Sequence, residues 1–284
     1  MSSLACPVLT YHSPNIFANE YGKNDHISLA EDLVHIYAMG KRVIPLTTLV
    51  DWLMGDLGDA AIENGVCITF DDGCLLEIED LEFPPHGVQV SFLNILRAFQ
   101  KQHPDSAGKN FVVTSFVIAS EFDRRQIDRK SLFGLGWMED DWWAAVQAEG
   151  LIDIQSHGWD HKQAMTSDDP DKPVPFARFE SVDDYAQCEQ QVLLANQKIA
   201  AVLQVKTPEF FAYPFGSASN YIREEYLPEN RSTTGIRAAF STEPEHVVRS
   251  SDRWNLPRYV CGRDWQAPEQ FTALLNNQLA TGPA

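Results

Sequence analysis

The stretch Val66-Cys67-Ile68-Thr69-Phe70-Asp71-Asp72-Gly73 decides how this chain reads. An apolar run that stops abruptly at two carboxylates and a glycine is the pattern of a strand buried on both faces, as in parallel sheets. In a barrel of such strands the C-terminal ends face the active site, so Asp71 and Asp72 would stand on the working rim. Adjacent carboxylates repel, and both stay ionised near neutral pH only beside a cation or strong donors. Asp-Asp-Gly is also ordinary turn chemistry, and alone it decides nothing.

Outward from this segment, short β-branched or aromatic runs alternate with helical patterns, the order expected of βα units around a parallel sheet. The strand candidates are Pro7 to Tyr11, Arg42 to Leu46, Val66 to Phe70, Phe111 to Ile118, Leu151 to Ile154, Phe210 to Tyr213 and Ile236 to Phe240. They predict an α/β fold, a closed or nearly closed (β/α) barrel, as a single domain over residues 1–284. Ser28 with Glu31 reads as a capping box for a helix carrying Leu29, Leu33, Ile36 and Tyr37, with Gly40 as its stop. Ser181 is expected to cap a longer helix bearing Tyr185, Cys188, Val192, Ala195, Ile199 and Val202. A further helix is expected from Glu139 to Glu149, closed by Gly150, and Pro268 opens a last one with Phe271, Leu274 and Leu275 inward. Leu76 to Val90, Glu121 to Gly136 and Met165 to Phe179 read as loops over one rim.

Charge and composition exclude several classes of function. With 22 Lys and Arg against 40 Asp and Glu, the net charge is −18, which repels nucleic acid and anionic membranes over most of the surface. Every apolar run falls short of the roughly 18 residues of a spanning helix, so no membrane insertion is expected. The five cysteines, Cys6, Cys67, Cys74, Cys188 and Cys261, are odd in number and lack a CxxC pair, which indicates neither a disulfide framework nor a thiolate zinc site. Met1 to Pro7 has no basic region followed by an apolar one, so the reading is a cytoplasmic, reducing compartment, or an extracytoplasmic one had a leader been removed. Ser167-Asp168-Asp169-Pro170-Asp171 reads as a solvated turn, Cys74 as packing, and the tryptophans as core, except Trp159.

A second polar strand end is Ile152-Asp153-Ile154-Gln155-Ser156-His157-Gly158-Trp159-Asp160-His161. His157 and His161 are four apart, and on a helical turn that spacing puts both imidazoles on one face, as two metal ligands require. A lone H-x-x-x-H arises often by chance. Two histidines and one carboxylate at the ends of separate strands, however, make a three-ligand set with open positions for water and substrate.

Thr69-Phe70-Asp71-Asp72-Gly73 followed by Ser156-His157-Gly158-Trp159-Asp160-His161 resembles the first two motifs of the polysaccharide deacetylases, carbohydrate esterase family 4, or NodB-homology domain. The resemblance covers roughly residues 5 to 265 and implies a distorted (β/α) barrel with seven parallel strands. It further implies a divalent metal held by Asp72, His157 and His161, with Asp71 as catalytic base. Phe211-Ala212-Tyr213-Pro214-Phe215-Gly216 is similar to a third motif, but Ala212 stands where many members have an arginine. Arg258, in Leu256-Pro257-Arg258-Tyr259, looks like the alternative donor to the base. The backbone N–H of Phe215 would face the developing oxyanion, and Phe215, Tyr213 and Trp159 would contact substrate.

Members usually end in a strand carrying an acid histidine, but no histidine follows His246 here. Pro7-Val8-Leu9-Thr10-Tyr11-His12 instead resembles the N-terminal strand of the permuted branch, the poly-N-acetylglucosamine deacetylases, which implies His12 as general acid. The expected activity is metal-dependent hydrolysis of N-acetyl groups on an amino-sugar glycan. Zn²⁺ is first choice, with Co²⁺, Ni²⁺ or Fe²⁺ satisfying the same ligands. Two alternatives stand beside it: an amidase of the same fold acting on a non-sugar amide, imide or ureide, and a catalytically dead glycan-binding protein.

Overall fold

Seven short parallel strands carry the architecture: β1 (Val8–Tyr11), β2 (Gly65–Asp72), β3 (Val113–Val117), β4 (Ile152–Ser156), β5 (Phe210–Ala212), β6 (Ala238–Phe240) and β7 (Tyr259–Val260). The computed structural model describes residues 4–105, 110–161 and 179–278. In space the strands run β6-β5-β4-β3-β2-β1-β7, so chain order is kept around the curl and the last strand lies beside the first. A parallel bridge between Phe240 and Leu256 joins the two ends of this path, through Ser241 N–H to Leu256 C=O and Leu256 N–H to Ala239 C=O, each 2.8 Å. The result is an α/β barrel, distorted because one bridge closes it rather than a full ladder.

Period-two alternation assigns the faces of each strand. Val66, Ile68 and Phe70 of β2 point outward into a core shared with the helices, where they meet Leu29, Leu33, Phe92 and Leu96. Cys67 packs on the other face with Val8, Phe116, Phe210 and Phe240. Thr69 and Asp71 follow Cys67 in the same phase, and Thr69 meets Thr10 of β1 at 3.0 Å between hydroxyl oxygens. Alternation therefore delivers Asp71 to the barrel interior.

The outer layer is built from α1 (Asp25–Ala38), α2 (Leu46–Met54), α3 (Phe92–Gln102), α4 (Glu121–Ser131), α5 (Trp143–Glu149), α6 (Ala195–Leu203) and α7 (Pro268–Leu275). Several boundaries differ from those expected. α1 starts a turn earlier than the Ser28 capping box, because Asn24 accepts the N–H of His26 while the Ser28 hydroxyl accepts that of Gly22. Asp184, not Ser181, caps the helical run ahead of α6, which passes through a π-helical stretch at Glu189–Leu194. Glu121–Gly136 is not all loop: Ser120 caps α4 through the N–H of Asp123, and the buried Arg124 ties that helix to the carbonyls of Ile118 and Ala119 and to Asp140. Of Arg42 to Leu46, only Arg42 and Val43 pair, alongside the start of β2 and off the barrel path, because Pro45 starts α2. The seventh barrel strand is instead Tyr259–Val260.

The five cysteines are buried and free. Among the described residues no helix is long and apolar enough to cross a membrane. The acidic segment Ser167–Asp171 lies outside them.

Candidate active site

The C-terminal ends of β1, β2 and β4 and the loop after β5 open into one cavity of about 360 Å³. Its walls include His12, Asp71, Asp72, His157, His161 and Phe215. At the end of β2 the backbone leaves the strand at once, with Asp72 at φ 81° and Gly73 at φ 76°. Asp71 therefore keeps its inward direction while Asp72 turns toward β4. His157 follows the last residue of β4, and its N–H bonds Val117 C=O of β3 at 2.9 Å. The stretch from His157 to His161 is a loop and not the helical turn that the spacing suggested. Gly158 at φ 85° and His161 at φ 60° fold it back, so the two imidazole centroids lie 4.9 Å apart.

Asp72, His157 and His161 each offer one donor atom, and all three atoms lie within 4.8 Å of one another. Asp72 Oδ1 is 3.3 Å from His161 Nε2 and 3.7 Å from His157 Nε2. Donors about 2.1 Å from a tetrahedral ion stand roughly 3.4 Å apart, close to the separations of Asp72 from the two imidazoles. His157 Nδ1 lies 2.9 Å from Ala212 C=O and donates to it, which leaves the Nε2 lone pair toward Asp72. Burial holds both imidazoles down to about 4, so they are neutral and able to ligate at physiological pH. Among the described residues, His161 Nδ1 is buried without a hydrogen-bond partner.

Asp71 has a different environment. Arg258, fully buried, donates to both of its oxygens, Nη1 to Oδ1 at 2.7 Å and Nη2 to Oδ2 at 2.9 Å. The same guanidinium donates to Thr69 Oγ1 and, through Nε, to Ser241 C=O, so all three nitrogens are used. Burial alone would raise the Asp71 carboxyl, but Arg258 and then His157 outweigh it and hold it well below the usual carboxylate range. His12 follows β1. Its N–H donates to Asp25 Oδ2 at 2.7 Å, and its Nδ1 is buried without a partner among the described residues. Burial pushes Asp25 itself up to about 6. β7 ends in Val260, which also lines the cavity. Since β1 and β7 are neighbouring parallel strands, a histidine after β1 reaches the rim that a histidine after β7 would reach.

The third segment divides. Phe215 lines the cavity with φ 58° and sets its ring 4.5 Å from that of His161. Tyr213 does not line it: its side chain is fully buried and its hydroxyl donates to Trp254 C=O at 2.8 Å, because strand alternation turns it the other way. Trp159 packs half-buried against the outer core and is also not a wall of the cavity. Three of the six described non-glycine residues with positive φ, Asp72, His161 and Phe215, line this one cavity, and strained backbone of this kind concentrates at functional sites.

Sequence reading missed the supports. Gln191, in the π-helical stretch, accepts the N–H of Trp159 and donates to Asp160, each at 2.9 Å, and so holds the loop between the two histidines. A π turn shifts a side chain off its helical phase, and no periodicity announces that. Arg263 and Thr242 form part of the rim, joined by the Arg263 Nη1 bond to Thr242 Oγ1. Ile127, Leu132 and Met138, from α4 and the segment after it, make an apolar wall.

The polysaccharide deacetylase family model matches residues 59–227. The chain belongs to that family. It is thus an enzyme that acts on amide bonds, and the matched residues include Asp71, Asp72, His157, His161 and Phe215, while His12 and Arg258 lie outside them. No curated protein matches this sequence. Among solved structures, the Streptococcus pyogenes deacetylase PplD in complex with acetate is similar with a TM-score of 0.61 at 13% identity, over 96% of this chain and 99% of that one. IcaB from Ammonifex degensii is similar with a TM-score of 0.59 at 18% identity, over 97% of both chains. The BpsB deacetylase domain from Bordetella bronchiseptica gives 0.60 at 14%, over 91% and 96%. At these identities the likeness is one of fold.

Proposed function

We propose that this polysaccharide deacetylase depends on a divalent transition metal and removes N-acetyl groups from an amino-sugar glycan. The observation that carries the reading is the Asp72, His157 and His161 cluster, beside an Asp71 gripped by Arg258 in the same cavity. Zn²⁺ suits two neutral imidazoles and a carboxylate, and Co²⁺, Ni²⁺ or Fe²⁺ would accept the same donors. Bound there, such an ion supplies Lewis-acid polarisation of the acetyl carbonyl and a water acidic enough to lose its proton near neutral pH.

The remaining work falls to the chain. Asp71, kept ionised and oriented by Arg258, takes the proton of the attacking water. The Phe215 N–H is assigned to the oxyanion that forms at the former carbonyl oxygen. His12 gives a proton to the departing nitrogen as the C–N bond breaks, and acetate and a free amine result. The apolar wall of Ile127, Leu132 and Met138 keeps water from the reacting centre.

The test is acetate release from N-acetylglucosamine oligomers by metal-loaded and chelator-stripped protein, beside a panel of cyclic amides, imides and ureides. Release from the oligomers that requires metal is expected. Turnover of a cyclic amide with none of the oligomers would assign the same chemistry to a non-sugar substrate. Sugar binding with no acetate release, metal present, would overturn the reading.

A further inference from the structure

We infer that Glu77 is a positioning residue for the metal site, whose buried carboxyl group holds the turn that aims Asp72. The inference rests on the metal-ligand reading of Asp72 proposed above.

Glu77 ends a short 3₁₀ turn, Leu75–Glu77, separated from the Asp-Asp-Gly segment by Cys74 alone, and it is fully buried. Its Oε1 accepts the N–H groups of Gly73 at 3.1 Å and Cys74 at 3.2 Å, the two amides that follow Asp72. Its Oε2 accepts the hydroxyl of Ser115 at 2.6 Å. Ser115 lies in the middle of β3, opposite Phe70 of β2. One side chain therefore bonds the whole ligand-bearing turn to the neighbouring strand.

That strand matters because β3 stands between β2, which carries Asp72, and β4, which leads to His157. His157 takes its height from the Val117 carbonyl of β3. The turn after Asp72 presses on the same residue: a Cβ at Gly73 would fall 2.8 Å from Val117 Cγ1. Both ligands are thus set against β3, His157 by its own amide and Asp72 through Glu77. Two successive residues at positive φ, one of them an aspartate, do not stay so unless surrounding bonds fix them. A capping role for the 3₁₀ turn alone would need only the Cys74 bond, not the bonds to Gly73 and Ser115.

The experiment compares wild type, Asp72→Asn, Glu77→Ala, Glu77→Gln and Ser115→Ala by Zn²⁺ affinity, from competition with a chromophoric chelator, and by the visible spectrum of the Co²⁺ forms. Thermal unfolding of the metal-free proteins is measured alongside. Loss of a group that orients a ligand typically weakens metal binding about 10–100-fold. Glu77→Ala is expected to lose that much and to change the Co²⁺ spectrum. Glu77→Gln, whose oxygen still accepts the two amides and whose NH₂ can donate to Ser115, is expected to restore affinity to within about threefold. Ser115→Ala is expected to lie between. A folded Glu77→Ala protein with wild-type affinity and spectrum would overturn the inference while leaving the site intact, and a Gln variant as weak as Ala would overturn it too. Should Glu77→Ala fail to fold, Ser115→Ala decides, and wild-type affinity there overturns the inference. Wild type that binds no metal, or Asp72→Asn that binds as well as wild type, would remove the metal reading itself and this inference with it.

Discussion

Arg258 holds Asp71 by both oxygens across 187 residues of chain, in a bidentate pair at 2.7 and 2.9 Å that is sealed from solvent. Breaking one side of a buried pair strands the other charge, which costs about 3–5 kcal/mol. Arg258→Met is therefore expected to lower the unfolding free energy by that amount in urea titrations. It also releases Asp71 from its orientation, and acetate release should fall by about 10²–10⁴-fold. Wild-type stability in this variant would mean that the pair is solvated.

On the proposed reading, Asp72→Ala removes one of three metal ligands. Its metal affinity should fall by more than the roughly 10–100-fold that a supporting group is worth. Because a ligand that binds only the folded state raises the melting temperature, excess Zn²⁺ should stabilise wild type and leave Asp72→Ala unmoved. A thermal-shift series read against metal concentration distinguishes the two.

His12→Ala separates acid catalysis from metal binding. The histidine follows β1 and is not among the three clustered donors, so zinc content should persist while turnover falls about 10²–10⁴-fold. Near-wild-type turnover would take the acid role away from His12.

Asp32 gives a pH dependence whose sign can be worked out. Its buried carboxylate accepts from Tyr11, Tyr21 and Trp265, all neutral donors, and burial pushes it up to about 7. The folded state thus binds a proton that the unfolded state, near 3.9, has released, and stability falls as pH rises from about 4 to 7. The slope from one such proton is about 1.4 kcal/mol per pH unit. Asp32→Asn, which can satisfy the same three partners, should flatten that part of the profile in denaturant titrations at pH 5, 6 and 7.

The candidate site was legible because its residues sit in contiguous stretches at strand ends. Asp71, Asp72, His157 and His161 come from two segments, one an apolar run that stops at two carboxylates and the other an alternating strand that runs into polar residues, and the barrel brings those ends into one cavity. What was hidden belongs to contacts without local pattern. Tyr259–Val260 is too short to show alternation, and it pairs only because β1 offers it an edge. The charged sequence of α4 conceals a helix that the buried Arg124 fastens to the ends of its own strand. Tyr213 and Trp159 sit inside recognisable motifs, yet the phase of a strand and the packing of a loop turn both away from the cavity. Motif membership does not fix where a side chain points.

Since β7 lies beside β1, the barrel is finished only after its other six strands have left the ribosome. A nascent chain emerged only through β6 carries Asp72, His157 and His161 but leaves Asp71 with no guanidinium. On the proposed mechanism, competence to hydrolyse would arrive in a single late step, when Arg258 docks, rather than accumulate as the chain grows.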